Sequence, residues 1–297
     1  MGSDNSALKR LNQSQKKYKH VLNKRASYIL LCHRGAIGDF IFTWPAIFSL
    51  RKAYPEIKFV WIGKPDILKL GQKKGIVDQY FDCESAIFID FFNGNKIPDS
   101  LININFWTAV FWMKKDEKIE KLLNNIFAGT SLFIDPFPEN PQKHVAKYYF
   151  DSIRNKFNLS DLKNLWEAIP DFGYNRNSKT ALIHPGSGSP KKNMPVEFFK
   201  TRIDLLRKKY DHKIKIIAGP AEIERNLIND FLSEEIICPA TLSALDDIIL
   251  EASLFVGNDS GVTHLAAING LDSFAFYKST DPAIWGTFGE KSINLRF

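Results

Sequence analysis

Short apolar runs alternate with longer stretches of helical periodicity along most of this chain. On the N-terminal side Tyr28–Cys32, Lys58–Gly63, Ala86–Ile89, Leu101–Ile104 and Ser131–Ile134 read as strands. Phe40–Ala53, Asp66–Lys74, Asp116–Phe127 and His144–Phe157 read as helices. A polar, irregular stretch from Asn158 to Lys179 interrupts the alternation, which then restarts. Thr180–Ile183, Lys213–Ala218, Ile236–Cys238, Leu254–Val256 and Ser273–Tyr277 predict strands. Val196–Tyr210, Glu222–Leu232, Leu242–Glu251 and Val262–Ile268 predict helices. Strands that alternate with helices pair in parallel, with the crossover helices covering the sheet faces. The pattern therefore predicts an α/β protein of two Rossmann-like domains whose parallel sheets face a central cleft. The expected boundaries are a basic polar N-terminal segment at 1–26, a first domain at 27–158, a linker at 159–179 and a second domain at 180–297.

Composition narrows the class. The 297 residues suit two domains of about 150. Hydrophobic residues make up 44% and aromatics 13%, enough for ordinary packed cores. The net charge of +7 and a pI near 9.1 suit phosphate-bearing substrates or an anionic membrane surface. No Lys/Arg-rich motif specific to nucleic acid is present, so no nucleic-acid partner is expected. Cys32, Cys83 and Cys238 are odd in number, far apart and free of a Cys-x-x-Cys pair, which fits a reducing cytoplasm. The first 25 residues are too polar for a signal peptide. The longest uncharged stretch, Ser100 to Met113, is too short and too polar to span a bilayer.

Four segments carry candidate chemistry. Arg34-Gly35-Ala36-Ile37-Gly38-Asp39 lies where the first strand ends and the first helix begins, the place where open parallel sheets bind ligands. Asp39 there is either a functional carboxylate or an N-cap with a tight turn. The glycine spacing is not G-x-G-x-x-G, and no acid at the end of the second strand argues for NAD. His184-Pro185-Gly186-Ser187-Gly188-Ser189-Pro190-Lys191-Lys192 follows the first strand of the second half. Its Gly, Ser and Lys content suits a phosphate cradle, though it is not a Walker loop; solvated lysines on a loop are the plain alternative. In Gly219-Pro220-Ala221-Glu222-Ile223-Glu224, Glu222, or else Glu224, could accept hydrogen bonds from ribose hydroxyls or merely complement a helix dipole. Asn258-Asp259-Ser260-Gly261-Val262-Thr263-His264 reads as strand, turn and helix start, with N–H groups free for an anion. His264 could be purely structural, and Asp281 in Thr280-Asp281-Pro282 could simply cap a turn. The aromatic group Phe106, Trp107, Phe111 and Trp112 is expected to pack in a core rather than stack on sugar.

The order and spacing of these blocks, with Phe40-Ile41-Phe42-Thr43-Trp44-Pro45-Ala46-Ile47 after Asp39 and Trp285-Gly286 after Asp281, resemble glycosyltransferase family 9, the ADP-heptose:lipopolysaccharide heptosyltransferases. The resemblance spans about residues 27–290 and is densest at 34–55, 184–195 and 256–289. It implies a GT-B fold and an inverting transferase that moves a sugar, heptose from ADP-heptose, to a lipopolysaccharide core or related glycan acceptor. It implies Asp39 as general base, with Arg34 and Gly38 on the acceptor side. Ser187, Gly188, Lys192, Glu222, Asp259, Ser260, Gly261, Thr263, His264 and Asp281 fall on the donor side. Met194 stands where the family usually carries an aromatic, and Lys278 where it commonly has Gly. The chain stops at Phe297, where family members continue. The short C-terminus and Lys278 motivate the rival expectation of a non-catalytic sugar-nucleotide-binding relative; a nucleotide-sugar epimerase on the same fold is a further alternative. No Asp-x-Asp occurs, so neither metal nor cofactor is implied: the nucleotide sugar is a substrate. The expected partners are that donor and a glycan or glycolipid acceptor. The expected location is the cytoplasm, with room for peripheral contact at the cytoplasmic face of the inner membrane.

Overall fold

The computed structural model describes residues 28–127, 130–138, 143–159, 164–165 and 167–297. The N-terminal segment 1–26 lies outside them, as do 160–163 and Trp166 of the expected linker.

Two parallel sheets carry the fold. The first contains β1 (Tyr28–His33), β2 (Lys58–Gly63), β3 (Gln79–Asp82), β4 (Phe106–Phe111) and β5 (Leu132–Phe133), in the order β3-β2-β1-β4-β5. The second contains β6 (Thr180–His184), β7 (Lys213–Ile217), β8 (Glu235–Ile237), β9 (Leu254–Asn258), β10 (Asp272–Tyr277) and β11 (Ser292–Arg296), in the order β11-β10-β9-β6-β7-β8. Each starts at an inner strand, runs to one edge, returns and runs to the other. This is the doubly wound Rossmann order, and it creates a switch point beside the first strand of each sheet. Every pairing is parallel. Parallel strands covered on both faces need long apolar runs, which Ile29–Cys32 and Ala181–Ile183 supply, all of them buried.

The helices are α1 (Ile37–Ala53), α2 (Pro65–Lys73), α3 (Ile89–Phe92), α4 (Asp99–Ile102), α5 (Glu117–Leu123) and α6 (Val145–Phe157), followed by α7 (Val196–Tyr210), α8 (Pro220–Glu224), α9 (Leu242–Leu250), α10 (Gly261–Ile268) and α11 (Pro282–Trp285). Asp116, Thr241 and Ser260 cap α5, α9 and α10 with side-chain oxygens, as residues of these types do. Asn158 and Asp211 end α6 and α7 in the left-handed region, with φ of 53° and 56°.

Two strands expected in the first half are helical instead. Ala86–Ile89 forms a 3-10 turn running into α3, and Leu101–Ile104 overlaps α4. The strands of that region are β3 and β4, which the periodicity missed. Short apolar runs do not distinguish a buried strand from a buried helical turn. The predicted helix 222–232 is broken into α8 and a 3-10 turn at Leu227–Phe231, and α11 and β11 were not anticipated.

The chain divides into two compact units. One holds the first sheet: the described residues up to Arg34, then Tyr54–Pro65 and Val77–Asp135. Its core gathers Leu30, Val60, Phe88, Phe91, Phe106 and Phe111. Trp112 stacks on Trp61 at 5.7 Å, while Trp107 lies half-buried against Tyr54, so the aromatic group is packing material. The other unit holds the second sheet together with Gly35–Ala53, Asp66–Ile76 and Pro136–Phe297. Helix α1, buried from Phe40 to Leu50, packs there against α6 and α10.

Candidate functional site

The chemistry-bearing residues of the second unit gather at the carboxyl ends of its strands. His184 ends β6 and leads into the Gly-Ser-Lys loop. Asn258 ends β9 and leads into Asp259, Ser260 and α10. These are the two strands at the switch point of the sheet, where a doubly wound fold leaves room for a ligand. Asn258, fully buried, pins the loop. Its Nδ2 donates to the Pro185 carbonyl at 2.6 Å, and its Oδ1 accepts from the Met194 N–H at 3.0 Å. Arg225 donates to the Ser187 carbonyl at 3.0 Å from the other side.

Asp259 is the hub of a polar cluster. Lys192 Nζ lies 2.8 Å from its Oδ2, Thr280 Oγ1 donates to the same oxygen, and His264 Nε2 lies 3.7 Å from Oδ1. Burial pushes this carboxyl up, but bonds from His264, Lys192 and Thr280 outweigh burial and hold it at about 2. Asp259 is therefore an anion at any physiological pH, and Lys192 stands beside it with a third of its side chain exposed.

Asp39 is pushed the other way. It sits in the first turn of α1, where its Oδ2 accepts the Ala36 N–H at 3.3 Å. Burial raises its carboxyl above the usual Asp value; the Ala36 N–H, His264 and Lys192 oppose this, and the Asp259 charge adds to it. Asp39 thus shares an electrostatic environment with Lys192, Asp259 and His264. Two glycines bring it there. A Cβ on Gly261 would lie 2.1 Å from Ile37 Cγ2 and 3.0 Å from Gly38 N, and one on Gly38 would lie 3.3 Å from His264 Cδ2. The amino-terminal ends of α1 and α10 touch because Gly261 has no side chain, and Gly38 leaves His264 uncrowded. Phe42, one helical turn further, packs edge-on to His264 and His144 and stacks on Phe288.

A second chain of polar groups runs beneath the loop. Glu222 Oε2 accepts the Gly219 N–H at 2.8 Å, and Oε1 lies 3.7 Å from His184 Nε2. Burial raises this carboxyl, but His184 and the Gly219 N–H bring it below the usual Glu value. Gly186 packs so closely on Glu222 that a Cβ there would lie 2.0 Å from Oε1. His184 Nδ1 lies 3.1 Å from Ser260 Oγ, Ser260 Oγ accepts the Thr263 N–H at 3.3 Å, and Thr263 Oγ1 donates to the Asn258 carbonyl at 2.6 Å.

The structure thus brings together Asp39, Gly38, Lys192, Asp259, Ser260, Gly261, Thr263 and His264, with Glu222 joined through His184. Ser187 turns its hydroxyl inward toward Ser189 O and Asn193 Oδ1, while Gly188 stays exposed. Asp281 caps α11 at the surface and accepts the Ala283 N–H at 3.0 Å; its neighbour Thr280 is the residue that reaches Asp259. Glu224 is exposed. Arg34 belongs to the first unit, where it lies 4.2 Å over the Phe92 ring. Sequence reasoning assigned no role to His184, Asn258, Thr280 or Arg225. The signal for the first three was their position at a strand end or in a turn. Arg225 gave none. Among the described residues, no three His, Cys, Asp or Glu side chains converge as a metal-binding group.

A doubly wound pair of parallel sheets, with polar turns gathered at a switch point, defines an α/β protein of the Rossmann type. The comparisons make the class specific. The sequence model of glycosyltransferase family 9 (heptosyltransferase) matches residues 108–297, well over half the chain. The chain belongs to this family and is a heptosyltransferase-like glycosyltransferase. A Haemophilus influenzae relative described as a glycosyltransferase is 22% identical, covering 91% of this chain and 88% of its own. The E. coli heptosyltransferase WaaC, solved with ADP, superposes with a TM-score of 0.71 at 20% identity, covering 91% of this chain and 93% of its own. E. coli ADP-heptose lps heptosyltransferase II gives 0.67 at 16%, covering 91% and 90%. Both are GT-B folds, as expected for this chain.

Proposed function

We propose that this chain transfers a sugar from a nucleotide-diphospho donor to a glycan hydroxyl in a single inverting displacement. The observation that carries the reading is the pairing of a raised carboxyl, Asp39, with the Lys192–Asp259 cluster at the N-terminus of α10. A carboxylate whose proton affinity is raised by burial is a better base for an acceptor hydroxyl. As that oxygen attacks the anomeric carbon, the bond to the diphosphate breaks and negative charge builds on the leaving group. Lys192 and the free N–H groups of α10 meet that charge without a metal. Glu222 holds the ribose, the backbone of Ser187 and Gly188 lines the phosphate path, and Asp259 and His264 orient the sugar, while the buried Thr263 holds the Asn258 turn beneath them. Asp281 borders the donor through Thr280. Gly38 serves the acceptor.

ADP-heptose is the proposed donor, because structures of the fold's neighbours carry ADP and a fluorinated ADP-heptose. The acceptor is a lipopolysaccharide inner core or related glycan. The net charge of +7 supports peripheral association with the anionic cytoplasmic face of the inner membrane. Among the described residues no helix is long and apolar enough to cross a membrane.

The test measures ADP affinity by calorimetry, melting temperature, and turnover of ADP-heptose with an inner-core acceptor. Lys192→Ala weakens ADP binding. Asp39→Asn keeps its melting temperature and ADP affinity while turnover falls ~10²-fold or more. Activity survives excess EDTA. Near-normal turnover in Asp39→Asn removes the base, and loss with EDTA reversed by magnesium overturns the account of leaving-group charge.

A further inference from the structure

His184 touches none of the atoms that the proposed reaction changes, yet it occupies the middle of the site. It ends β6, and β6 lies between β7 and β9 in the sheet. The residue that ends the central strand can reach groups following both neighbours. Its Nε2 faces Glu222, which follows β7, at 3.7 Å; its Nδ1 faces Ser260, which follows β9, at 3.1 Å. All three side chains are buried. We propose that His184 is a positioning residue that ties the nucleoside end of the donor site, through Glu222, to its diphosphate end, through Ser260. This inference rests on the donor reading above.

The hydrogen-bond inventory gives the relay a direction. Glu222 spends Oε2 on the Gly219 N–H and presents Oε1 to the imidazole. A carboxylate beside one ring nitrogen favours the proton on that nitrogen, so Nε2 carries the N–H and Nδ1 becomes the acceptor. Thr263 spends its own hydroxyl proton on the Asn258 carbonyl. Ser260 Oγ lies 3.0 Å from Thr263 Oγ1 and 3.1 Å from Nδ1, and its single proton goes to the imidazole nitrogen, the stronger acceptor, while its oxygen accepts the Thr263 N–H and caps α10. With both functions of the hydroxyl committed, the Ser260 rotamer is set and the first N–H groups of α10 keep their direction. One imidazole thus orders a carboxylate on one side and a helix cap on the other. Gly186 closes the arrangement, since any larger residue there would displace Glu222.

Two amide substitutions separate the two ends. The Asn amide lies about as far from the backbone as Nδ1, and the Gln amide about as far as Nε2. His184→Asn retains the Ser260 contact and loses Glu222; His184→Gln does the reverse. Ligand-observed NMR titrations with adenosine, inorganic pyrophosphate and ADP read the outcome. His184→Asn is expected to keep pyrophosphate affinity and lose adenosine affinity about tenfold, and His184→Gln to show the opposite preference. His184→Ala weakens both, and ADP most. A purely structural histidine would weaken both probes alike in the Asn and Gln variants, and that result, or no change in either, overturns the inference. If the parent protein binds none of the three probes, the donor reading itself falls and takes the inference with it. Imidazole 15N shifts of the unsubstituted protein supply a check that needs no variant: the Nε2–H tautomer is expected, and the Nδ1–H tautomer refutes the relay.

Discussion

Asp39 and Asp259 carry the same carboxyl group in one electrostatic cluster, yet they are driven in opposite directions. Both are penalised by burial. Asp259 collects Lys192, Thr280 and His264 as donors, whereas Asp39 has a long bond from Ala36 and feels the Asp259 charge. The count of donors, not burial, sets the two carboxyls apart. Two pH effects follow. Asp39 binds its proton more tightly than an ordinary Asp, so kcat/KM declines on the acid side with a pKa above the usual 3.8; Asp39→Asn flattens that limb. Asp259 has a depressed pKa, so its contribution of about 2 kcal/mol is present above pH ~4 and lost as the pH falls toward 2. Acid unfolding followed by circular dichroism should show Asp259→Asn losing less stability than the parent across that window. An equal loss in both proteins would show that the cluster is not the source.

At the scale of elements, the decisive contact is that of α1 with α10. A side chain on Gly261 would collide with Ile37 and push the helix starts apart, whereas one on Gly38 would only crowd His264. Gly261→Ala drives a methyl into Ile37 and separates the two helix starts. We expect a loss of roughly 1–3 kcal/mol in urea unfolding, together with slower turnover, because Asp39 moves away from the Lys192 cluster. Gly188→Ala, where an added methyl meets nothing within 4 Å, should leave the melting temperature unchanged. A Gly261→Ala protein with parental stability and turnover would mean that the helices adjust without consequence. The sequence announced the glycines and both helix starts through turn and cap chemistry. It did not announce that the two starts meet, because that depends on residues more than two hundred positions apart. The two false strands of the first half failed for the same kind of reason. In Ala86–Ile89 and Leu101–Ile104 only Phe88 and Leu101 enter the core, while Ile87, Ile89 and Ile102 are exposed, and a short apolar run does not choose between strand and helical turn.

At the scale of the molecule, a buried ion network holds early and late segments of the chain in one unit. Lys74 Nζ lies 2.7 Å from Asp246 Oδ1 and donates to Asn269 Oδ1 at 2.8 Å, while Asn269 Nδ2 donates to Asp246 at 2.8 Å. Lys73 reaches the other Asp246 oxygen at 2.9 Å. Asp246 is fully buried and Lys74 nearly so. The network joins the end of α2 to α9 and to the residue that follows α10. Removing Asp246 leaves the buried Lys74 ammonium without a carboxylate, so Asp246→Leu should cost about 3–5 kcal/mol in urea unfolding. The double variant Lys74→Met/Asp246→Leu should recover most of that loss, since an apolar pair of similar volume needs no charge partner. A single variant with parental stability, or a double variant no better than the single, would refute the network's role.

Local chemistry made much of this protein legible in its sequence. Alternating periods of apolar residues required parallel α/β sheets, Gly, Ser, Asn and Asp marked the turns at strand ends, and the order of those turns specified the family. These are short-range properties, written in neighbouring residues. Only the tertiary structure decided which carboxyl is held low and which is raised, that Thr280 rather than Asp281 reaches Asp259, that Glu222 is folded under the loop against Gly186, and that α1 packs with α10. Each of those outcomes depends on desolvation and on partners brought in from distant segments. Burial and Coulombic neighbours are properties of a packed arrangement, and no stretch of chain carries them alone.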